Sequence, residues 1–136
     1  MTRMAAVLLL LALAGCAAQR PECLVAGEQP VTVTELFFGR DIPGRPPLND
    51  QEWSDFSAGV IAKEFPDGFT TMDGEGQWRD PATQAVTRER TKILVIAVAA
   101  KSSDLASRVS RVRDAYARLY RQTSVGLLTY DGCGGF

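Results

Sequence analysis

The chain has 136 residues, 46% of them apolar and 23% charged, which suits one globular domain and is short for two. Fifteen basic against sixteen acidic residues leave a formal charge of −1, so the basic excess that a general nucleic-acid binder needs is missing. Histidine is absent, which removes the commonest general base and metal ligand and confines any catalysis to carboxylate, Tyr, Lys, Arg or Ser/Thr groups.

Arg3 makes the start positive, and Ala5 to Ala14 is an uninterrupted apolar run followed by small residues. This is the pattern of a secretory signal over residues 1–15. From Met4 to Ala18 the apolar stretch is 15 residues long, short of the roughly 20 that a spanning helix needs. Leu13-Ala14-Gly15-Cys16 resembles the bacterial lipobox, which implies cleavage before Cys16 and a lipid on that cysteine. By the same resemblance to lipoproteins, Ala17 in place of Asp implies the outer membrane of a Gram-negative envelope, with the domain facing the periplasm. The membrane is then a partner through the anchor. Residues 16–30 carry no repeating pattern and read as a tether to a single domain over 31–136.

Val31 to Phe38 is β-branched and aromatic, hence strand, and the Gly- and Pro-rich stretch from Gly39 to Pro47 is a loop. Asn49 followed by Glu52 forms a capping-box pattern opening a helix. Trp53, Phe56, Val60 and Ile61 share one face of that helix, and Phe65-Pro66 ends it. Phe69 to Met72 and Gln77 to Arg79 read as two strand pieces around a turn at Asp73–Gly76. A long strand begins at Arg88, and from Ile93 to Ala100 every position is apolar, the mark of a strand covered on both faces. Ser102 or Ser103 caps a second helix, whose stripe is Leu105, Val109, Val112, Tyr116 and Leu119. Val125 to Tyr130 closes the chain as a strand.

The order β-α-β-β-α-β predicts an α+β fold: a ferredoxin-like βαββαβ sandwich, a four-stranded antiparallel sheet with two helices on one face. Such a sandwich leaves one sheet face open, and the doubly apolar strand asks for a cover. A second copy, giving a homodimer, is the simplest one, and a packed loop is the alternative. In this strand order the first and last strands are neighbours. Cys23, just before the first, and Cys133, just after the last, are therefore expected to form a disulfide in an exported protein.

Four ordered segments, Glu35–Arg40, Phe65–Thr70, Gly76–Asp80 and Arg88–Lys92, resemble a bacterial family catalogued as domain of unknown function 3574. The likeness spans about residues 31 to 130. Members are often exported or lipid-anchored, which agrees with the N-terminus. The family has no assigned catalytic residues, so the resemblance implies one compact domain and no activity.

Candidate chemistry rests on few residues. Glu35 alternates with Val31, Val33 and Phe37, so its carboxylate shares a sheet face with apolar groups and is a candidate acid or base; alternatively, Leu36 and Phe38 face the core and Glu35 faces water. Arg40, Arg79 and Arg88 lie near strand ends and are candidates for binding an anionic ligand, or else surface pairs. Trp78 stacks on a ligand or packs in the core or a dimer contact. On the second helix Arg108, Arg111, Arg118 and Arg121 form either a lipid-facing patch or a solvated face. No metal site or cofactor is expected, since the spare cysteines are placed in a disulfide and no calcium-loop spacing occurs.

The expected function is that of an envelope lipoprotein whose domain binds an unknown envelope protein or small ligand. The alternative is a cofactor-independent enzyme of the dimeric α/β-barrel type acting on a small anionic substrate, with Glu35 and Arg40 in one pocket between helices and sheet.

Overall fold

The computed structural model describes residues 23–136, so the expected signal segment 1–15 and the lipidation site Cys16 lie outside the described residues. Strand β1, Gln29–Gly39, places Thr34, Leu36 and Phe38 on the helix side and Val33, Glu35 and Phe37 on the other, as its two-residue alternation requires. After an extended loop that buries Ile42 and Leu48, helix α1 opens at Asp50. Its capping box is complete: the Glu52 backbone N–H donates to Asn49 Oδ1 and the Asn49 N–H to Glu52 Oε2, both at 2.9 Å.

Helix α1 is α-helical over Asp50–Phe56, widens into a π-helical turn over Ser57–Ile61, and closes with Ala62–Glu64. The π turn has a packing consequence. Phe56 and Ile61 are five residues apart, a spacing that a regular α-helix would send to different faces, yet both are buried in the same core. Strand β2, Thr70–Arg79, pairs with β3, Val86–Ala99, in one unbroken antiparallel register. The turn expected at Asp73–Gly76 is therefore corrected to mid-strand. Gly74 lies directly over the Ile93 side chain, where a Cβ would come within 2.9 Å of Cδ1, so glycine here marks a close approach, not a reversal. The true turn is Asp80–Ala85, where Asp80 Oδ1 accepts the N–H groups of Ala82 and Thr83.

Helix α2, Leu105–Tyr120, is preceded by Asp104, which takes the N-cap position in place of Ser102 or Ser103; the Ser102 hydroxyl instead donates to the Asp104 carboxylate. Val109, Val112 and Tyr116 are buried as expected, but Leu119 is exposed, because the stripe has rotated out of the core by the last turn. Strand β4, Gly126–Gly134, runs beside β1 as an edge strand.

The sheet order is β2-β3-β1-β4, antiparallel throughout, with both helices on one face: the ferredoxin-like sandwich. Its core is aromatic. Phe38 stands at the centre, its ring centroid 4.7 Å from that of Tyr116 and 5.3 Å from that of Trp53, and Phe56 lies 5.1 Å from Tyr116. Each fully buried side chain of this size contributes about 1.5–3 kcal/mol, and each edge-on aromatic pair about 1 kcal/mol more. The Tyr116 hydroxyl is satisfied by the Gly39 carbonyl at 2.8 Å, and burial pushes its phenol well above the usual range. Cys23 and Cys133 are bonded, so the covalently held unit reaches back past residue 31 into the segment read as tether. No helix among the described residues is long and apolar enough to cross a membrane.

Candidate functional site

The sheet face away from the helices carries an apolar surface with a polar pair in it. On β1, Val33, Glu35 and Phe37 point outward; their register partners are Ala97, Val95 and Ile93 of β3 and Tyr130, Leu128 and Gly126 of β4. Met72 of β2 extends the row beside Ile93. Met72, Leu128 and Tyr130 are each about half exposed, a large fraction for apolar groups gathered on one face. Glu35 lies half-buried among them, and its Oε1 accepts the Tyr130 hydroxyl at 2.8 Å. That hydrogen bond holds the Tyr130 phenol above its usual range.

Glu35 thus faces away from Leu36 and Phe38, on a surface more apolar than open water and less enclosed than a pocket. Arg40 lies on the opposite side of the sheet. It is buried, its Nε donates to the Leu48 carbonyl at 2.7 Å, and its guanidinium sits 3.1 Å from Asp50. Lys92 joins the same cluster, 2.6 Å from Asp73 and 3.4 Å from Asp50. The Lys92 ammonium bonded to Asp50, with Arg40 beside it, holds the Asp50 carboxyl below its usual range. This cluster ties the first residue of α1 to β2 and β3, and its two cations are already matched by two carboxylates. The structure does not bring Glu35 and Arg40 into one pocket.

The other candidates separate in the same way. Arg88 donates to Gln77 Oε1 and Arg79 to the Gln84 carbonyl. Both alternate with Trp78 and Thr87 along their strands and so point to the other face. Trp78 itself is 52% exposed, outside the core. Arg108 and Arg111 are engaged: Arg108 lies 4.6 Å over the Phe65 ring and Arg111 makes a two-pronged pair with Glu64. Cys23, Glu28 and Cys133 lie close enough to share a metal ion, but the two sulfurs are bonded to each other and offer no thiolate.

Residues not foreseen from the sequence complete the open face. Beside Trp78, a cleft of about 370 Å³ is lined by Phe37, Gly39, Trp78, Glu89, Thr91 and the loop Gln122–Ser124. The Asp41 N–H donates to Glu89 Oε1 at 3.0 Å, and Gln122 Nε2 donates to the Asp41 carbonyl at 2.6 Å. The signal for Glu89 was its parity with Thr91 and Ile93 on β3. The loop residues carried none, because only the tertiary fold carries the α2–β4 connection across to Gly39.

A family model described as a protein of unknown function, DUF3574, matches residues 33–136. No curated protein matches the chain. Among solved structures, a phage SAM lyase in complex with S-methyl-5'-thioadenosine superposes with a TM-score of 0.58 at 13% identity, over 85% of this chain and 95% of that one. The phage SAM lyase in its apo state gives 0.58 at 14% identity, over 82% and 86%. At this identity the likeness is one of fold.

Proposed function

The chain belongs to the DUF3574 family of proteins of unknown function, and from its open sheet face we propose that it is a binding module, held by a lipid on Cys16 at the outer membrane and facing the periplasm. The observation that supports this reading is the apolar face formed by Val33, Phe37, Val95, Leu128 and Tyr130, left uncovered by the described residues, a surface of the kind that marks contact with a partner. A second copy is its simplest occupant, since one face repeated on two subunits buries itself about a two-fold axis. The test pairs light scattering at micromolar concentration with crosslinking in intact cells. A dimer that Leu128→Asp converts to a monomer, with unchanged circular dichroism, supports the homodimer. A wild-type monomer ends it, and a stoichiometric foreign protein among the crosslinked products makes the face an adaptor surface.

A second reading, an enzyme without cofactor, is favoured by the Glu35–Tyr130 pair, a carboxylate and a phenol 2.8 Å apart among apolar side chains. The phage protein of similar fold is a lyase, solved with S-methyl-5'-thioadenosine. Among the described residues a small anionic substrate finds no cation beside Glu35, since Arg40 is on the far side and occupied. Heat released on titration with S-methyl-5'-thioadenosine, and lost in Glu35→Gln, would favour this reading over the first.

A further inference from the structure

We propose that the cleft at the Trp78 end of the open face binds a neutral polyhydroxylated ligand, a saccharide unit, an inference that rests on reading this face as a recognition surface. At about 370 Å³ the cleft falls within the roughly 300–1,000 Å³ of small-molecule sites. β1 ends in glycine at its wall, and the Glu89 carboxylate lies where a Cβ at Gly39 would stand.

Its chemistry is an aromatic platform with a ring of hydroxyl-compatible groups. Trp78 leaves half of a large rigid indole in water at the end of an edge strand, and Phe37 lines the cleft with it. The C–H face of a pyranose covers such a surface, while its hydroxyls need partners that accept and donate. Glu89 is held in place through Oε1, and its Oε2 has no protein partner among the described residues. Gln122 uses its amide N–H groups on backbone carbonyls, so its Oε1 remains as an acceptor. Thr123 and Ser124 add two hydroxyls. Among the described residues that line the cleft, the one formal charge is that of Glu89, and it is negative. Arg79 and Arg88, which could reverse it, point to the opposite face, so an anionic ligand is disfavoured.

The cleft meets the proposed contact surface at Phe37 and extends away from it. The β3 partners of Trp78 and Val33, namely Thr87 and Ala97, are ten residues apart, roughly 33 Å along the strand. Occupancy of one therefore does not require occupancy of the other.

The test is intrinsic fluorescence, because of the two tryptophans Trp53 is buried and Trp78 reports the cleft. The protein, purified as the cell makes it, is titrated with chitotriose and maltotriose, with glucose 6-phosphate as the anionic comparison. The expected result is a saturable change in emission with a neutral trisaccharide, half-complete near about 1 mM. It should be lost in Trp78→Ala and weakened about tenfold or more in Glu89→Gln, with circular dichroism unchanged in both. No saturable response to either trisaccharide up to about 10 mM overturns the proposal. So does a response that survives Trp78→Ala, or tighter binding of the sugar phosphate. A silent cleft in a protein whose self-association Leu128→Asp abolishes overturns the saccharide site alone; a sugar response in a protein that captures no partner does the reverse.

Discussion

Thr34 shows how a single side chain can sit against its surroundings. It is fully buried on the helix side of β1, between Ile96 and Thr129 in register, and its hydroxyl has no hydrogen-bond partner among the described residues. It lines a groove of about 230 Å³ between α2 and β4 with Val109 and Leu127. A buried hydroxyl left unpaired costs about 1–3 kcal/mol. Thr34→Val keeps the branched shape and removes that cost, so it should stabilise the fold by about 1 kcal/mol. The urea midpoint should rise with no change in slope. A falling midpoint would mean that the hydroxyl has a partner in solution, such as a water in the groove. Glu35 shows what residue-level reading can and cannot reach. Its parity placed it with Val33 and Phe37, correctly, but parity says nothing of Tyr130, which arrives from 95 residues away to take its carboxylate.

At the scale of elements, local signals succeeded where the determining contacts are local. The capping box of α1 is contained in four residues, and both of its hydrogen bonds are present. Asn49→Ala removes the acceptor for the Glu52 N–H and should cost about 1 kcal/mol, read as a lowered thermal midpoint. Asn49→Asp, which keeps an acceptor, should stay close to wild type; equal losses in both variants would show that the box contributes no cap energy. Where the determining contact is distant, the same kind of signal misled. Asp73–Gly76 has the composition of a turn, yet Gly74 is there to let β2 lie against Ile93. The π turn over Ser57–Ile61 is set by the need to bury Phe56 and Ile61 together, a demand made by the sheet. For the arginines the sequence left ligand contact and surface pairing both open: position near a strand end was visible, but the partners that Arg79 and Arg88 take, the Gln84 carbonyl and Gln77 Oε1, come from the folded β2–β3 hairpin.

For the molecule as a whole, strand order was the most legible property, and the Cys23–Cys133 bond follows from it. Putting β4 beside β1 sets Cys133 opposite Pro30 and brings the chain before β1 against the end of β4. The two cysteines are 110 residues apart. In the chain-entropy model closing such a loop removes about 5 kcal/mol of unfolded-state freedom, a large share of the roughly 5–15 kcal/mol that holds a domain of this size. The core itself does not include the bond: Phe38, Trp53 and Tyr116 lie at the other end of β1 and under the helices. Reduction should therefore lower the urea midpoint substantially while leaving the native circular dichroism spectrum intact in the absence of denaturant. A double Cys23→Ala, Cys133→Ala variant should behave like the reduced protein. If reduction instead unfolds the domain without denaturant, the sandwich depends on its clamp for more than entropy. If it costs less than about 1 kcal/mol, residual structure already holds the ends together in the unfolded chain. The expected middle result fits a domain whose first β-strand emerges next to its last, so that a pull transmitted through the segment before Cys23 is taken by a covalent bond before it reaches the β1–β4 ladder.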